Sequence, residues 1–323
     1  MTEEIQPGVL QENRYLIFGP YEDGGCSSVD WGWDTQSNKW VVLKKLKSEN
    51  LKKIQEEIRI SRIFNDIHQC VPCNDFFTID ETNRKHYVLV FDYIDHIPLR
   101  AILPKMNWTD ISRFSGQFLW LLHKFHERGV IHRDIKPGNV LLDKITLDLR
   151  IIDFGMCIAG KKEADSSHWS WREVSAKSGT TQFLSPEQER AIQRNEPFYP
   201  TPAIDLWSFG CILLEWWIGK GPAFPNSSQD KWVMWQKIWS QGDIMMKRRS
   251  SNLVFQLDYV LSLKRPDLEY DGNNRFLSFL SILLDPYPNR RENAKKLLKH
   301  PFITQNEYQK CFLYDLVSRT NCG

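Results

Sequence analysis

Residues 130–142 read VIHRDIKPGNVLL. This stretch places a carboxylate at Asp134, an ammonium group at Lys136 and an amide at Asn139. Taken alone, it is also compatible with an ordinary turn beside a strand. Its meaning therefore depends on the residues further along the chain.

A second carboxylate occurs in RIIDFGMC, residues 150–157, where Asp153 begins the tripeptide Asp-Phe-Gly. Phosphoryl transfer from a metal-bound nucleotide needs one acid that accepts or orients the proton of the attacking hydroxyl group, and oxygen ligands that hold the metal. Asp134 fits the first role, Asp153 is suited to bind a metal ion, and Asn139 is suited to bind a second one. The two motifs in this order favour phosphoryl transfer, with ATP and Mg²⁺ as cofactors.

The bulk properties exclude several other classes of protein. A chain of 323 residues is long enough for two units that each have a core. A formal net charge of +2 argues against a strongly basic nucleic-acid-binding protein, and no run of about eighteen apolar residues predicts a membrane span. Seven scattered cysteines and no signal peptide predict free thiols in a reducing compartment. We expect a soluble intracellular protein that binds neither nucleic acid nor membrane directly.

The spacing of apolar residues changes along the chain. Early runs such as RYLIFG, SSVDWGWD, WVVLKKL and HYVLVFDYI are typical of strands. One helix interrupts them, because LKKIQEEIRISRIF places Ile54, Ile58 and Phe64 near one face and follows Asn50, a suitable N-cap. DISRFSGQFLWLLHKFHERG predicts a long helix that ends at Gly129. AIDLWSFGCILLEWWIG and FLSFLSILL predict two buried helices.

This pattern predicts an α+β fold with two lobes. Residues 1–92 form a small β-rich N-lobe with one main helix, which is expected to bind the nucleotide. Residues 93–304 form a larger helical C-lobe, which is expected to carry catalysis and peptide binding. Residues 305–323 form a C-terminal tail.

With both motifs present, the chain resembles the eukaryotic protein kinases over roughly residues 14–304. That resemblance implies the bilobal kinase fold and ATP-dependent phosphorylation of a protein substrate. VVLK resembles the lysine-bearing strand of the family, which implies that Lys44 contacts the α- and β-phosphates of ATP. The resemblance implies Glu57 as its partner, with Glu56 as the alternative. Glu57 is preferred because the Glu-Ile order is similar to that of casein kinase II and the cyclin-dependent kinases.

SGTTQFLSPE resembles the kinase segment that ends in Ala-Pro-Glu, with Ser185 in place of alanine. The resemblance implies that Thr180 contacts Asp134 and Lys136. Lys136 and the pair Gly179-Thr180 are more similar to serine/threonine kinases than to tyrosine kinases. Serine and threonine hydroxyl groups are therefore the expected acceptors.

Three further residues are assigned supporting roles by the same resemblance. Glu187 is expected to pair with Arg291 of DPYPNRRENAKKLLKHPF. Asp205 of AIDLWSFG is expected to brace the catalytic loop from a buried helix. Each of them could separately be an ordinary surface or capping residue, whereas as an ordered set they are specific to the kinase large lobe.

The nucleotide loop departs from its usual pattern of glycines. In YEDGGCSSVDWG the backbone N–H groups of Gly24 and Gly25 are expected to approach the phosphates, with Val29 beside them. Glu22 and Ser27 stand where the first and last glycines of the pattern would be. The small side chain of Ser27 does not block the nucleotide, so an active kinase is favoured over a pseudokinase.

The segment VLVFDYI resembles the kinase hinge. Phe91 is expected to close the back of the adenine pocket, although a phenylalanine here is otherwise a core residue. The backbone groups of Asp92 to Ile94 are expected to bond the adenine edge.

One departure from the usual kinase sequence and two further resemblances bear on the subfamily. The position eleven before Glu187, where many kinases carry an activating phosphothreonine, is Ala176 (187 − 11). Residues 201–243 resemble the cell-division-cycle kinase that fires replication origins, which implies a nuclear enzyme with a regulatory, activating subunit; a cytoplasmic location is the alternative. KIQEEIRI and LRIIDFG are similar to casein kinase II. The sequence also leaves open a cyclin-dependent-like kinase, a pseudokinase scaffold and a small-molecule kinase.

Replacing Ser27 by glycine restores the last glycine of the usual loop pattern. We expect the Ser27→Gly variant to bind ATP with equal or modestly higher affinity, because backbone groups rather than the serine hydroxyl group contact the phosphates. Titration with a fluorescent ATP analogue measures this. A large loss of affinity would show that the hydroxyl group itself binds phosphate.

Overall fold

The computed structural model describes residues 9–11, 14–23, 27–47, 50–81, 84–146, 148–163, 169–226, 228–241, 253–255, 257–268 and 275–304. The chain divides into two compact units. The first takes the chain up to His96 and also residues 143–155, and the second contains the remainder. The sequence pattern placed a single boundary at residue 92 and did not predict that residues 143–155 return to the first unit. The predicted tail, residues 305–323, lies outside the described residues.

The strands in chain order are β1 Val9–Gln11, β2 Tyr15–Asp23, β3 Ser27–Asp34, β4 Lys39–Leu46, β5 Asp75–Glu81, β6 Arg84–Asp92, β7 His96–Pro98, β8 Val130–Ile131, β9 Val140–Asp143, β10 Leu149–Ile151, β11 Ile158–Ala159, β12 Lys161–Lys162, β13 Trp169–Ser170, β14 Trp239–Gln241 and β15 Leu253–Phe255. The helices are α1 Leu51–Arg62, α2 Leu99–Ile102, α3 Trp108–Glu127, α4 Pro186–Arg194, α5 Ala203–Ile218, α6 Ser228–Ile238, α7 Leu257–Ser262, α8 Arg275–Leu283, α9 Ala294–Leu297 and α10 Pro301–Thr304. Short 3₁₀ turns occupy Leu103–Lys105, Pro137–Asn139, Thr181–Phe183 and Pro288–Arg290.

The first unit is built on an antiparallel sheet with the strand order β1-β2-β3-β4-β6-β5. Successive side chains of β4 point to opposite faces of this sheet. Val41 and Leu43 pack in one apolar cluster with Tyr15. Val42 packs in another cluster, which contains Ile54 of α1. Lys44 therefore projects on the face that carries α1.

Helix α1 begins where the sequence predicted. The side chain of Asn50 accepts a hydrogen bond from the Lys53 N–H at 3.2 Å, which caps the first turn. Ile54 and Ile58 are buried on one face of the helix. Glu57 lies on the same face and is buried with them. The packing of an apolar stripe thus carries a carboxylate into the interior of the first unit.

The second unit is mainly helical. A capping box starts α3, because the Asn107 side chain accepts from the Asp110 N–H while the Asp110 carboxylate accepts from the Asn107 N–H. The predicted end of this helix is confirmed by Gly129, whose φ of 72° lies in the left-handed region. The predictions that α5 and α8 are apolar and buried are also confirmed. Among the described residues, no helix combines the length and apolar character needed to cross a bilayer.

Candidate active site

A lysine and two carboxylates meet within the first unit. Lys44 Nζ donates to Glu57 Oε1 at 2.7 Å and to Asp153 Oδ1 at 2.8 Å. Glu57 is presented by α1, and Asp153 follows β10. The structure therefore brings together three residues that the sequence predicted for nucleotide and metal binding.

The alternative partner of Lys44 is engaged elsewhere. The carboxylate of Glu56 accepts from Arg59 Nε and Nη2, each at 2.8 Å, on the exposed side of α1. Adjacent residues of a helix are rotated by about 100° relative to each other, so only one of the two glutamates can point toward Lys44. The packing of α1 selects Glu57.

The two carboxylates keep Lys44 charged. Burial by itself would lower the pKa of Lys44, but the charges of Glu57 and Asp153 and their hydrogen bonds raise it above its ordinary value. The side chain therefore stays an ammonium ion at neutral pH. That form can bind the oxygens of a phosphate group.

Asp153 sits on an unusual backbone turn. Its φ is 65°, in a region that residues other than glycine rarely adopt. The Gly155 N–H donates to Asp153 Oδ1 at 3.1 Å, and a Cβ on Gly155 would lie 3.0 Å from Glu57 Oε2. The Asp153 side chain is 37% exposed, which gives a cation access to it. A carboxylate on a turn of this kind is suited to hold Mg²⁺.

Within the second unit, Asp134 accepts hydrogen bonds from three residues. Its Oδ1 accepts from the N–H and the hydroxyl group of Thr180, at 2.9 and 2.8 Å. Its Oδ2 accepts from Lys136 Nζ at 2.7 Å and from Asn139 Nδ2 at 3.0 Å. Lys136 Nζ also donates to Thr180 Oγ1 at 3.0 Å. These contacts orient one carboxylate in a region that is largely screened from water.

The amide of Asn139 is oriented by the turn that carries it. Pro137–Asn139 form a 3₁₀ turn in which the Asn139 N–H donates to the Lys136 carbonyl at 3.0 Å. Asn139 Nδ2 donates to the backbone oxygen of Asp134 at 2.8 Å as well as to its carboxylate. This use of the nitrogen turns Oδ1 to the other side, where it could serve as an oxygen ligand for a metal ion.

The backbone before Asp134 is held by Asp205, which is fully buried at the start of α5. Its carboxylate accepts from the N–H groups of His132 and Arg133, each at 2.9 Å, and lies 2.9 Å from His126 Nε2. Burial by itself would raise the pKa of Asp205, but the hydrogen bond to His126 and the other donors hold it below its ordinary value. Sequence reasoning missed His126, because a histidine near the end of a helix carries no local signal of this contact.

Two positions with positive φ hold Thr180 beside Asp134. Arg133 has a φ of 70° and Gly179 a φ of 111°. A Cβ on Gly179 would lie 2.7 Å from the Arg133 carbonyl oxygen, so only glycine fits. This close approach of two backbones delivers Thr180 to the carboxylate.

An ion pair connects α4 to the segment after α8. Arg291 Nη1 and Nη2 donate to the two carboxylate oxygens of Glu187 at 2.7 and 2.9 Å. Arg291 Nη1 also donates to the Ala203 carbonyl at 3.0 Å. The guanidinium group is buried, so its geometry and its several partners make this a structural connection.

The segment before α4 is held by contacts that the sequence did not indicate. Ala176 is 8% exposed and belongs to an apolar cluster with Ile131 and Phe198. The Ser185 hydroxyl group donates to Gln188 Oε1 at 3.1 Å, and Gln188 Nε2 donates to the Ser178 carbonyl at 3.3 Å. The serine that replaces the alanine of the usual kinase tripeptide thus has a specific partner.

The predicted phosphate loop is described only in part. Gly24 and Gly25 lie outside the described residues. Val29 on β3 is the cross-strand neighbour of Lys44.

The residues predicted to form the hinge, Asp92 to Ile94, begin at the last residue of β6. The Asp92 side chain accepts from Asn74 Nδ2 at 2.7 Å, and the Ile94 carbonyl oxygen lies 2.8 Å from His96 Nδ1. Phe91 is buried in the same apolar cluster as Ile54 and is therefore a core residue. Its predicted place at the back of the adenine pocket stays a prediction.

This fold and these polar groups define a protein kinase, and comparison with known families agrees. The sequence matches the protein kinase domain family over residues 22–303, and the chain belongs to that family.

Individual relatives indicate which class of protein kinase the chain resembles. A probable casein kinase II subunit alpha homolog of Encephalitozoon cuniculi is 32% identical over 215 residues, which are 67% of this chain and 62% of the relative. Casein kinase II subunit alpha' of Saccharomyces cerevisiae is 29% identical over 216 residues, 67% of this chain and 59% of the relative. A probable serine/threonine-protein kinase of Dictyostelium discoideum is 24% identical over 303 residues, 90% of this chain and 48% of the relative. The chain thus spans about half to three fifths of the length of these relatives, which support a kinase of the serine/threonine class.

The choice between two adjacent glutamates can be tested directly. We expect Glu57→Gln to weaken ATP binding about tenfold, or about 1.4 kcal/mol, because Lys44 loses one of the two charges that position it. Glu56→Gln is the matched control and should change the affinity less than about twofold, since its partner Arg59 is exposed. The dissociation constant of a fluorescent ATP analogue reports both. Equal effects of the two substitutions would contradict the assignment.

Proposed function

We propose that the chain transfers the γ-phosphoryl group of ATP to serine and threonine hydroxyl groups of a protein substrate. The observation that carries this proposal is the environment of Asp134. Its carboxylate is fixed by Thr180, Lys136 and Asn139, so one face of a rigid acceptor can meet an incoming hydroxyl group. Catalysis of phosphoryl transfer consists mainly of such positioning together with charge stabilisation.

Each side chain then has a distinct role. Asp134 orients the substrate hydroxyl group and accepts its proton. The ammonium group of Lys136 neutralises charge that develops near the transferred group. Lys44, seated by Glu57, binds the phosphates of ATP.

The oxygen atoms of Asp153 and Asn139 are suited to bind Mg²⁺. Asp153 supplies an accessible carboxylate, and Asn139 supplies an amide oxygen. Bound with ATP, the metal ion would neutralise charge on the phosphate oxygens. Asp153 would hold one such ion, and Asn139 is suited to hold a second one.

A pseudokinase scaffold is the main alternative at the level of activity. It would keep the fold but lose groups needed for metal or nucleotide. The contacts of Lys44, Asp134 and Asp153 favour the enzyme. A thermal shift that depends on both ATP and Mg²⁺ would separate the two, because a scaffold without these sites is not stabilised by their ligands.

Two substitutions test the proposed chemistry. We expect Asp134→Asn to lower turnover about 10²- to 10⁴-fold with little change in nucleotide affinity, because it removes the proton acceptor. Asp153→Asn should abolish the Mg²⁺-dependent part of ATP binding and with it turnover. Phosphate transfer to a peptide library and the affinity for ATP are the measurements.

Asp95→Asn is the matched control, since Asp95 pairs with Lys144 at 2.6 Å on the surface. It should leave both quantities unchanged. Unaltered phosphorylation by either active-site variant would overturn the roles given to these carboxylates.

At the level of subfamily, we propose a casein-kinase-II-like enzyme. The two casein kinase II relatives support this proposal. So does Ala176, which cannot be phosphorylated and is buried among apolar side chains. Residues of the chain itself hold this segment in place.

An origin-firing, cell-cycle kinase with a nuclear location and an activating subunit is the second proposal. The likeness of residues 201–243 to that kinase supports it. A subunit that binds the active arrangement better than the inactive one shifts the population by its differential affinity.

The two proposals differ in the activity of the isolated chain. We expect the bacterially expressed protein to be fully active after phosphatase treatment if it is casein-kinase-II-like. The specific activity on a serine peptide, with and without proteins that co-purify from the native source, measures this. Low activity that a co-purified protein restores would favour the origin-firing type.

A further inference from the structure

A buried lysine on α6 is not one of the residues to which the proposed phosphoryl transfer assigns a role. Lys231 is 3% exposed. Its Nζ donates to the carbonyl oxygens of Thr181 and Leu184 at 2.8 and 2.6 Å, and it lies 2.9 Å from Glu189 Oε1. The ammonium group also lies 5.8 Å from the centre of the Phe224 ring.

These partners match what a buried ammonium group requires. A lysine has three N–H donors and no acceptor, and burying its charge is costly unless partners surround it. Two carbonyl oxygens accept hydrogen bonds from the ammonium group, and the carboxylate of Glu189 neutralises its charge. The arrangement is therefore specific to a lysine at this position.

The two carbonyl groups belong to the short turn Thr181–Phe183 and the residue after it. A third carbonyl of the same segment, that of Phe183, accepts from the Ser208 hydroxyl group at 2.9 Å. Side chains of α5 and α6 thus hold residues 181–184 through three backbone oxygens.

This segment is continuous with the catalytic contacts. Thr180, which bonds Asp134 through both its N–H and its hydroxyl group, directly precedes Thr181. Ser185, buried at the start of α4, directly follows Leu184. Within SGTTQFLSPE, the anchored residues therefore lie between the Asp134 contact and the first turn of α4.

We propose that Lys231 is a positioning residue for the protein substrate. It holds residues 181–184 in the conformation against which the substrate peptide docks, and it acts on the peptide rather than on ATP. This inference rests on the proposed kinase function, because residues 181–184 directly follow Thr180, which bonds the carboxylate proposed to accept the proton of the substrate hydroxyl group. A segment held in its binding conformation before the peptide arrives avoids the entropic cost of ordering it during binding.

The test separates peptide binding from nucleotide binding. In Lys231→Met, the KM for a peptide substrate should rise about tenfold or more, which is about 1.4 kcal/mol, while the KM for ATP changes less than about twofold. Lys237→Met is the matched control, because Lys237 lies on the same helix and is exposed. It should leave both values unchanged.

A double variant controls for stability. Lys231→Met alone leaves the Glu189 carboxylate buried without its partner, which itself destabilises the protein. K231M/E189Q removes both charges, so it should recover thermal stability while the peptide KM stays high. Recovery of the peptide KM together with stability would show a purely structural role and overturn the proposal.

Hydrogen exchange provides a readout that does not depend on activity. The N–H groups of Phe183 and Leu184 donate to the carbonyls of Thr180 and Thr181, at 2.9 and 3.3 Å. They should exchange about tenfold faster in K231M/E189Q than in the unaltered chain, whereas those of α3 should not change. Unchanged exchange at these two residues would refute the anchoring. If the unaltered chain phosphorylates no peptide even when co-purifying proteins are added, the proposed function is wrong; if it is active and the peptide KM of the variants is unchanged, only the role of Lys231 is wrong.

Discussion

The carboxylate of Asp205 is fully buried, so donors from the surrounding chain must satisfy it. Those donors are the N–H groups of His132 and Arg133 and the ring of His126. Satisfying Asp205 fixes the backbone just before Asp134. The carboxylate proposed as the proton acceptor is therefore positioned by a charge on a helix that is distant in sequence.

The same principle recurs elsewhere in both units. Lys44 with Glu57 and Asp153, Arg291 with Glu187, and Lys231 with Glu189 are ion pairs in which at least one partner is buried. Pairs of this kind contribute little net stability compared with apolar replacements, but breaking one side is strongly destabilising. They act here as specific connections between elements, and each holds a segment that the proposed reaction needs.

The segment between Ala176 and Ser185 is held by contacts of this kind, at a place where many kinases carry an activating phosphothreonine. Ala176 stands where many kinases carry a phosphothreonine, and it is packed in an apolar cluster. Gln188 bonds the Ser178 carbonyl, and Lys231 bonds two carbonyls further along. Side chains that are always present thus hold a segment that many other kinases order by phosphorylation.

Local patterns in the sequence determined much of the candidate site and several elements of the fold. The spacing of Asp134, Lys136 and Asn139 and the Asp-Phe-Gly tripeptide that begins at Asp153 indicated the chemistry, because phosphoryl transfer needs these groups in this order. The cap at Asn50 and the apolar helix α5 were also predicted correctly, since caps and hydrophobic periodicity depend on neighbouring residues.

The tertiary structure alone decided the remaining features. The resemblance favoured Glu57 over the adjacent Glu56, but only the packing of α1 brings the Glu57 carboxylate to Lys44 while Glu56 pairs with Arg59. Sequence reasoning did not single out Lys231, and its contacts arise only when Thr181 and Leu184 are brought to it across the fold. Both depend on contacts between residues far apart in the chain, whose energies are set by burial and geometry that no short stretch of sequence encodes.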